Sequence, residues 1–434
     1  MCVVEVANAQ DVSDVMKVIA ATRTPFAVKS GGHASNPGFS STTGVHISLA
    51  RLNQVSLSGD KNTVEIGTGL VSTLCVSHVW PGIDCGSMQR WTEVYDALDG
   101  SGVNVVGGRV IGPGVGGFTL GGGYSWLTDQ YGLTCDTVEA FNLVLPNGSI
   151  SKVDSSQADL FFALKGGLNR FGIVTSIIFK TVSQPNQVYG GIEIYGSDAL
   201  PDLIKATETF QNENTDPKAQ LILTINGGLL PGAILLLFYD GPTRPAAFDP
   251  YNNIGGLSIS TVKTQSFASF AKGTPSNIQA GHRGAFHTLM TTGLTENFMK
   301  AVHNESSYYG TLALLNSGSL LSYDVEPFLK YGQYATDSAF PHASSPLPLN
   351  LYFAWDDPSK DAFWRGVMQQ SIDYLTEVAK KEGIFDEGDP AYPNYALDTY
   401  GGAQLYGGNV GRLRRVQERV DPDGVMGLAG GFRI

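Results

Sequence analysis

Glycine constrains this chain more than any other feature. The 434 residues include 53 Gly, and they cluster. The densest tract runs over 107–123, where Gly107, Gly108, Gly112, Gly114, Gly116, Gly117 and Gly121-Gly122-Gly123 interleave with Val110, Ile111, Val115, Phe118 and Leu120. Without a Cβ, backbone can run directly against a ligand or another backbone. The interleaved apolar residues argue against a disordered linker. A shorter tract, Ser30-Gly31-Gly32, leads straight into His33. Bare backbone N–H groups of this kind bind phosphate oxygens. Neither tract is a P-loop, and no GxGxxG opens a helix after a first strand, which argues against a dinucleotide-binding Rossmann domain. Lys29 and Arg109 are the few basic residues nearby. Neutral N–H groups must therefore do most of the work on a pyrophosphate, which suits a tightly held cofactor.

Length favours two or three intertwined lobes. The formal net charge of −12 repels nucleic acid and anionic membranes. No apolar run approaches the ~20 residues that span a bilayer. Residues 1–7 show neither a basic n-region nor a long apolar core, so no signal peptide is visible. Sequons at Asn147 and Asn304 lean towards a secreted protein, with a cytoplasmic one as the alternative. Of the four cysteines, Cys75 and Cys85 are spaced for a small disulfide loop or are two buried thiols.

Hydrophobic spacing supplies the elements. Val12, Val15, Met16, Ile19 and Ala20 share one face of a helix over 9–21. Strands are predicted at 26–28, 45–49, 64–66 and 138–145, with Pro146-Asn147-Gly148 as a hairpin turn before Ile150. Asp154 or Ser155 caps a helix carrying Leu160, Phe161 and Leu164, and 171–179 reads as a strand. The character changes near 185. Strands at 191–195, 221–225, 233–238 and 349–353 alternate with helices at 200–212, 294–304 and 360–381, giving a sheet covered by helices. From 392 the sequence returns to Gly and Tyr.

Lys29-Ser30-Gly31-Gly32-His33, followed by Gly44-Val45-His46-Ile47-Ser48-Leu49, resembles the flavin-attachment loop of the berberine-bridge-enzyme-like oxidases, within the vanillyl-alcohol-oxidase/PCMH-type FAD superfamily. Further blocks follow in the family's order. They are Gly116 to Tyr124, Tyr131-Gly132-Leu133 with Asp136, Lys165-Gly166-Gly167 with Phe171-Gly172-Ile173-Val174, and Tyr392-Pro393-Asn394-Tyr395 with Tyr406-Gly407-Gly408-Asn409 and Arg412-Leu413. The wording is nearest that of fungal members. The resemblance implies an α+β chain. A PCMH-type two-subdomain FAD-binding domain would occupy 1–183. An α/β substrate domain, with an antiparallel sheet covered by helices, would occupy 184–390. Residues 391–434 would return to the FAD-binding domain.

The resemblance also implies FAD, bonded through its 8α carbon to His33, with Lys29, Ser30, Gly31, Gly32 and Ala34 around the pyrophosphate. Gly116, Gly117, Gly121, Gly122 and Gly123 would line the ring and ribityl chain. Asp136, Thr137, Val138, Gly172 and Val174 would lie near the adenosine half, and Asn409 would close over the flavin. Many relatives make a second flavin bond from a Cys. Val110 stands in that place here, so a single link is expected. The adjoining Ile111-Gly112-Pro113-Gly114 also departs from the family pattern near the oxygen-access position.

A flavin oxidase needs a base that takes a proton while hydride leaves the substrate. By motif position the resemblance gives this role to Tyr395, with Tyr392 and Tyr124 facing the substrate. A tyrosine serves if its neighbours lower its pKa. His282 and His287, without a nearby Cys, read as surface or core histidines, and no metal is expected. Asp356-Asp357 reads as a helix cap, and Arg412, Arg414 and Arg415 as a solvated helix face. The expected function is an FAD-dependent oxidase of an alcohol or hemiacetal, of carbohydrate or secondary-metabolite type, with dioxygen reduced to hydrogen peroxide. Alternatives are an FAD-containing cyclase or isomerase, a dehydrogenase using another acceptor, and a non-catalytic binding module. The expected partners are a small-molecule substrate and dioxygen, with no nucleic acid or membrane, in a monomer.

Overall fold

The computed structural model describes residues 2–69, 91–110, 112–228, 231–274 and 281–434. Cys75 and Cys85 lie outside the described residues. Cys2 and Cys135 are thiols, exposed and buried respectively.

The first lobe opens with three short parallel strands, β1 (Cys2–Glu5), β2 (Phe26–Lys29) and β3 (Val45–Ser48), ordered β1-β3-β2. The helix Ala9–Thr22 links β1 to β2. Asn8 caps it, its side chain accepting from Asp11 N at 2.9 Å, and Val12, Met16 and Ile19 face inward as their spacing predicts. β4 (Val55–Leu57) and β5 (Thr63–Gly67) begin an antiparallel sheet. Beyond the two-residue β6 (Val103–Asn104), that sheet gains β7 (Val138–Val144), β8 (Ile150–Asp154) and β9 (Ile173–Lys180), in the order β4-β5-β9-β7-β8. β6 pairs instead with β10 (Val182–Ser183). The β7–β8 hairpin turns at Asn147, as expected, closed by Leu145 N to Ser149 O at 2.8 Å.

The second lobe is one antiparallel sheet. Its strands are β11 (Val188–Gly196), β12 (Ala219–Gly227), β13 (Gly232–Tyr239), β14 (Leu257–Ser260), β15 (Lys263–Gln265), β16 (Arg283–Thr291), β17 (Gly318–Val325) and β18 (Leu347–Trp355). The order is β14-β11-β13-β12-β17-β18-β16, with β15 also on β11. The helices Leu200–Glu213, Glu296–Ala313 and Asp361–Lys381 cover one face, where Leu223, Leu321, Tyr323, Leu349 and Phe353 share a core with Phe298, Val302, Trp364 and Met368. Alternate residues of the same strands, among them Thr224, Ser322, Asp324, Asn350 and Tyr352, point the other way, into a cavity shared with the first lobe. β14 to β17 lie where the sequence pattern predicts no strand: β14 and β15 are short and largely exposed, His287 and Thr288 interrupt β16, and Ser322 and Asp324 interrupt β17.

The C-terminal segment crosses back to the first lobe. Ala429 bridges Phe26 of β2, and Arg170 donates to Met426 O at 3.0 Å.

Two helical glycines should respond oppositely to Ala. At Gly366 an added Cβ would meet nothing within 4 Å, whereas at Gly310 it would lie 2.4 Å from Gly228 N. Ala is favoured over Gly inside a helix by about 0.8–1.0 kcal/mol. Gly366→Ala should therefore raise the unfolding free energy in urea by up to that amount, and Gly310→Ala should lower it. Shifts of the same sign would contradict this packing.

Candidate active site

Both glycine tracts border one cavity of about 900 Å³. They also touch each other: at Gly114 a Cβ would lie 2.3 Å from Gly31 N and 2.5 Å from Ser30 Oγ. At Gly116 it would press on Thr68 at 3.1 Å, whereas at Gly117 nothing lies within 4 Å and bare backbone opens onto the cavity. Gly32 turns the shorter loop at φ +67°, which strains any L side chain. Ser30 Oγ donates to Thr68 O, and Thr68 Oγ1 donates to Val174 O at 2.7 Å. Past His33, Asn36 Nδ2 donates to Ala396 O at 2.8 Å, tying the loop to the C-terminal segment. The His33 ring borders the cavity, stacked 5.9 Å from Phe286.

Of the expected site residues, Ser30, Gly31, Gly32, His33, Ala34, Gly116, Gly117, Gly172, Val174, Tyr124, Tyr392 and Tyr395 line this cavity. Lys29, Gly121, Gly122, Gly123, Asp136, Val138 and Asn409 are not among its lining residues. The Lys29 side chain runs along Gly32, its Cε 2.6 Å from where a Cβ would stand. Gly121 admits Asn394, whose Oδ1 would lie 2.1 Å from a Cβ, and Gly122 lies against Tyr392. Gly123 N donates to Tyr392 Oη at 3.0 Å. The triplet thus seats the C-terminal tyrosine motif.

Asp136 accepts from His342 Nε2 at 2.8 Å and from Thr336 N at 2.8 Å, joining the two lobes. Burial alone would raise its carboxyl, but the bonds from His342 and Thr336 outweigh that and hold it below its ordinary value. Val138 packs in the core at the start of β7. Asn409 Nδ2 donates to Ser338 O and Ala339 O at 3.2 and 3.1 Å, bracing the loop that carries His342. No group of side chains suited to a metal occurs among the described residues.

Tyr395, half-buried, bonds to two buried charged side chains that the motifs do not reveal. Arg109 Nη2 donates to Glu326 Oε2 at 2.6 Å and to Tyr395 Oη at 3.1 Å. Tyr395 Oη donates to Glu326 Oε1 at 3.1 Å. Glu326 and Arg109 are only 3% and 5% exposed. Burial raises the Glu326 carboxyl, with Arg109 opposing. Burial, and then Glu326, push the Tyr395 phenol well above its ordinary value. The expected lowering is therefore not found, and the resting phenol keeps its proton. Burial also works against the charge on Arg109, but Glu326 and Tyr395 more than compensate and keep it protonated. Tyr392 Oη accepts from Asn394 Nδ2 at 2.9 Å, and Tyr124 Oη lies 2.6 Å from Tyr331 Oη. Glu326 follows β17 in a stretch without a motif. Its one sequence signal is the period-two row Ser322, Asp324, Glu326.

Comparison with known proteins gives the family of the chain. A family model described as an FAD binding domain matches residues 1–89 and 76–154, and one described as berberine and berberine like matches 391–429. An FAD-dependent monooxygenase of Arthrobotrys oligospora is 32% identical over 97% of this chain and 79% of its own length. The chain belongs to the berberine-bridge-enzyme-like, PCMH-type family of FAD-linked oxidoreductases. Two solved structures share the fold of this flavoprotein, each with a TM-score of 0.75 over 98% of this chain and 90% of theirs. They are a chitooligosaccharide oxidase, 20% identical, and 6-hydroxy-D-nicotine oxidase from Arthrobacter nicotinovorans, 16% identical.

The residues present fit FAD. The cavity's walls include the backbone of Gly31, and that of Gly32, Gly114, Gly116 and Gly117, where a Cβ would either collide or occupy the cavity. Arg109 Nη1, buried on the cavity wall, has no hydrogen-bond partner among the described residues. A donor left over in this way suits an electron-rich ring edge or a carbonyl.

One residue behind the cluster went unread in the sequence. Asp129 Oδ1 accepts from Leu329 N at 2.8 Å, and its other oxygen accepts from Gln220 Nε2, so it grips the loop that follows Glu326. Burial pushes its carboxyl up to about 8, against the bonds from Leu329 and Gln220. A carboxyl raised in the fold favours folding at low pH and loses that contribution as pH rises through the folded value. The stability of Asp129→Asn, which stays neutral, should gain on the parent from about pH 5 to about pH 8 and then level off. A constant gap in thermal melts across that range would contradict the assignment.

Proposed function

We propose that this flavoprotein oxidises a hydroxyl-bearing small molecule in the cavity. Ser30 to Ala34, Gly114 to Gly117, Gly172 and Val174 would hold FAD, His33 would be its single covalent attachment, and the protein would act as a monomer. When bound, FAD supplies a two-electron acceptor that dioxygen restores, with hydrogen peroxide as the by-product. The observation that carries the reading is the hydrogen-bonded Tyr395–Glu326–Arg109 cluster on the wall of a glycine-lined cavity.

Tyr395 is placed to relay the proton rather than to store it. Its hydroxyl hydrogen is already directed at Glu326 Oε1, so accepting the substrate's hydroxyl proton would pass a proton on to that carboxylate. Arg109, bonded to both, steadies negative charge on either oxygen as the proton moves. Glu326 and Arg109 are shielded from water by burial, while Tyr395 is half-buried and faces the cavity. Because burial raises Glu326, the carboxylate that the relay requires forms above the ordinary glutamate range, and turnover should rise with pH through that ionisation.

Glu326→Gln should cut turnover by about 10²–10⁴-fold and abolish that acid limb while flavin stays bound. Unchanged turnover at any pH would remove Glu326 from the chemistry. Acid precipitation should leave the parent's yellow colour with the polypeptide, and His33→Ala should release it to the supernatant. Release from the parent would refute covalent attachment.

A second reading comes from the fungal relatives, several of which are named FAD-dependent monooxygenases. Under it, one atom of dioxygen enters the product. Heavy-oxygen labelling separates the two: the oxidase reading predicts an unlabelled organic product and labelled peroxide.

A further inference from the structure

The sheet presents a divided face to the cavity. Ile194 of β11, Ile222 of β12 and Ile234 and Leu236 of β13 form an apolar half. Beside it, the register sets Thr224 of β12 opposite Asp324 of β17, and Asp324 opposite Asn350 of β18. Thr224 Oγ1 donates to Asp324 Oδ1 at 2.8 Å, and Asn350 Nδ2 donates to Asp324 Oδ2 at 2.9 Å. Burial pushes the Asp324 carboxyl up to about 6; above that pH it is ionised and only accepts, so the amide nitrogen of Asn350 faces it and the amide oxygen faces away. Asn350 is 5% exposed and lines the cavity, and its Oδ1 has no hydrogen-bond partner among the described residues. A buried carbonyl oxygen left this way is costly unless a ligand brings a donor.

We propose that Asn350 Oδ1 accepts a hydrogen bond from a hydroxyl or N–H on the substrate, remote from the carbinol being oxidised, and that Asp324 is the positioning residue that holds the amide in that sense. This rests on the proposed function, in which the carbinol lies at Tyr395 and Glu326. Asp324 precedes Glu326 by two residues, and Asn350 lies one strand over, so the two recognition points are roughly 8 Å apart. Thr224, Ser322 and Tyr352 lie on the half that carries Asn350, whereas the β11 and β13 half offers Ile194, Ile234 and Leu236 rather than acceptors. The class that matches is a flat, apolar, fused-ring alcohol with a second donor at its far end. An oligosaccharide, with a hydroxyl on nearly every carbon, would set many donors against Ile194, Ile222, Ile234 and Leu236 and leave them unpaired.

The test uses the flavin-loaded protein and two probes. One is a naphthalene methanol with a phenolic hydroxyl at the opposite end of the ring system, and the other is its methyl ether, which cannot donate. Anaerobic titrations, followed through flavin absorbance, give the dissociation constant of each. The parent should bind the phenol about tenfold more tightly than the ether. Asn350→Leu and the smaller Asn350→Ala should bring that ratio close to one, with the ether's own affinity kept within about threefold. Asp324→Asn, which frees the amide to turn, should also lower the ratio, whereas Glu326→Gln should keep it. A parent that binds both probes equally or binds neither, or Asn350 variants that retain the preference, would overturn the inference. A preserved preference without flavin reduction by either probe would support the recognition and contradict only the redox reading.

Discussion

The contact between two stretches of backbone governs this molecule. Gly114 rests on Gly31 so closely that no side chain fits between them. The contact joins the start of the chain to its middle and leaves the peptide groups of both tracts along one cavity wall. A second glycine contact repeats the logic, since Gly121 admits Asn394 and so brings the C-terminal tyrosines to the same cavity. A site assembled from three distant stretches of sequence therefore depends on missing Cβ atoms.

Those contacts set the electrostatics of the reacting half. Arg109 comes from the long glycine tract, Glu326 from just beyond β17, and Tyr395 from the C-terminal motif. Burying an acid beside a base is costly unless their hydrogen bonds are satisfied; here each of the three bonds to the other two, and Arg109 Nη1 is left for a ligand. Asp129 holds the loop after Glu326 from the first lobe, and Asp136 does the same for the loop carrying Thr336 and His342. The lobes are thus locked together around the cavity by buried carboxyl groups.

Local rules made much of the first lobe legible. Asn8 and the row Val12, Met16, Ile19 specify a helix, Asn147-Gly148 specifies a turn, and the glycine tracts specify close backbone approach. The second lobe was legible where strands are apolar on both faces, as with Ala233 to Phe238. It was not legible in β16, where His287 sits under the helix Asp361–Lys381 beside Gln369, or in β17, whose inward face carries cavity groups. Ser322 and Asp324 break the apolar run that marks a strand, although Leu321, Tyr323 and Val325 keep the alternation. Glu326 escaped notice for the same reason. Motif position also does not say what a residue touches: Gly121 to Gly123 contact the tyrosine motif, and Asn409 contacts a loop.

The most direct test of the account is the flavin content of Gly114→Ala. The variant's added methyl must part the two tracts, so the account predicts far less than one flavin per chain in protein that still folds. A full complement of flavin in Gly114→Ala, at the parent's melting temperature, would show that the contact between the tracts does not make the site.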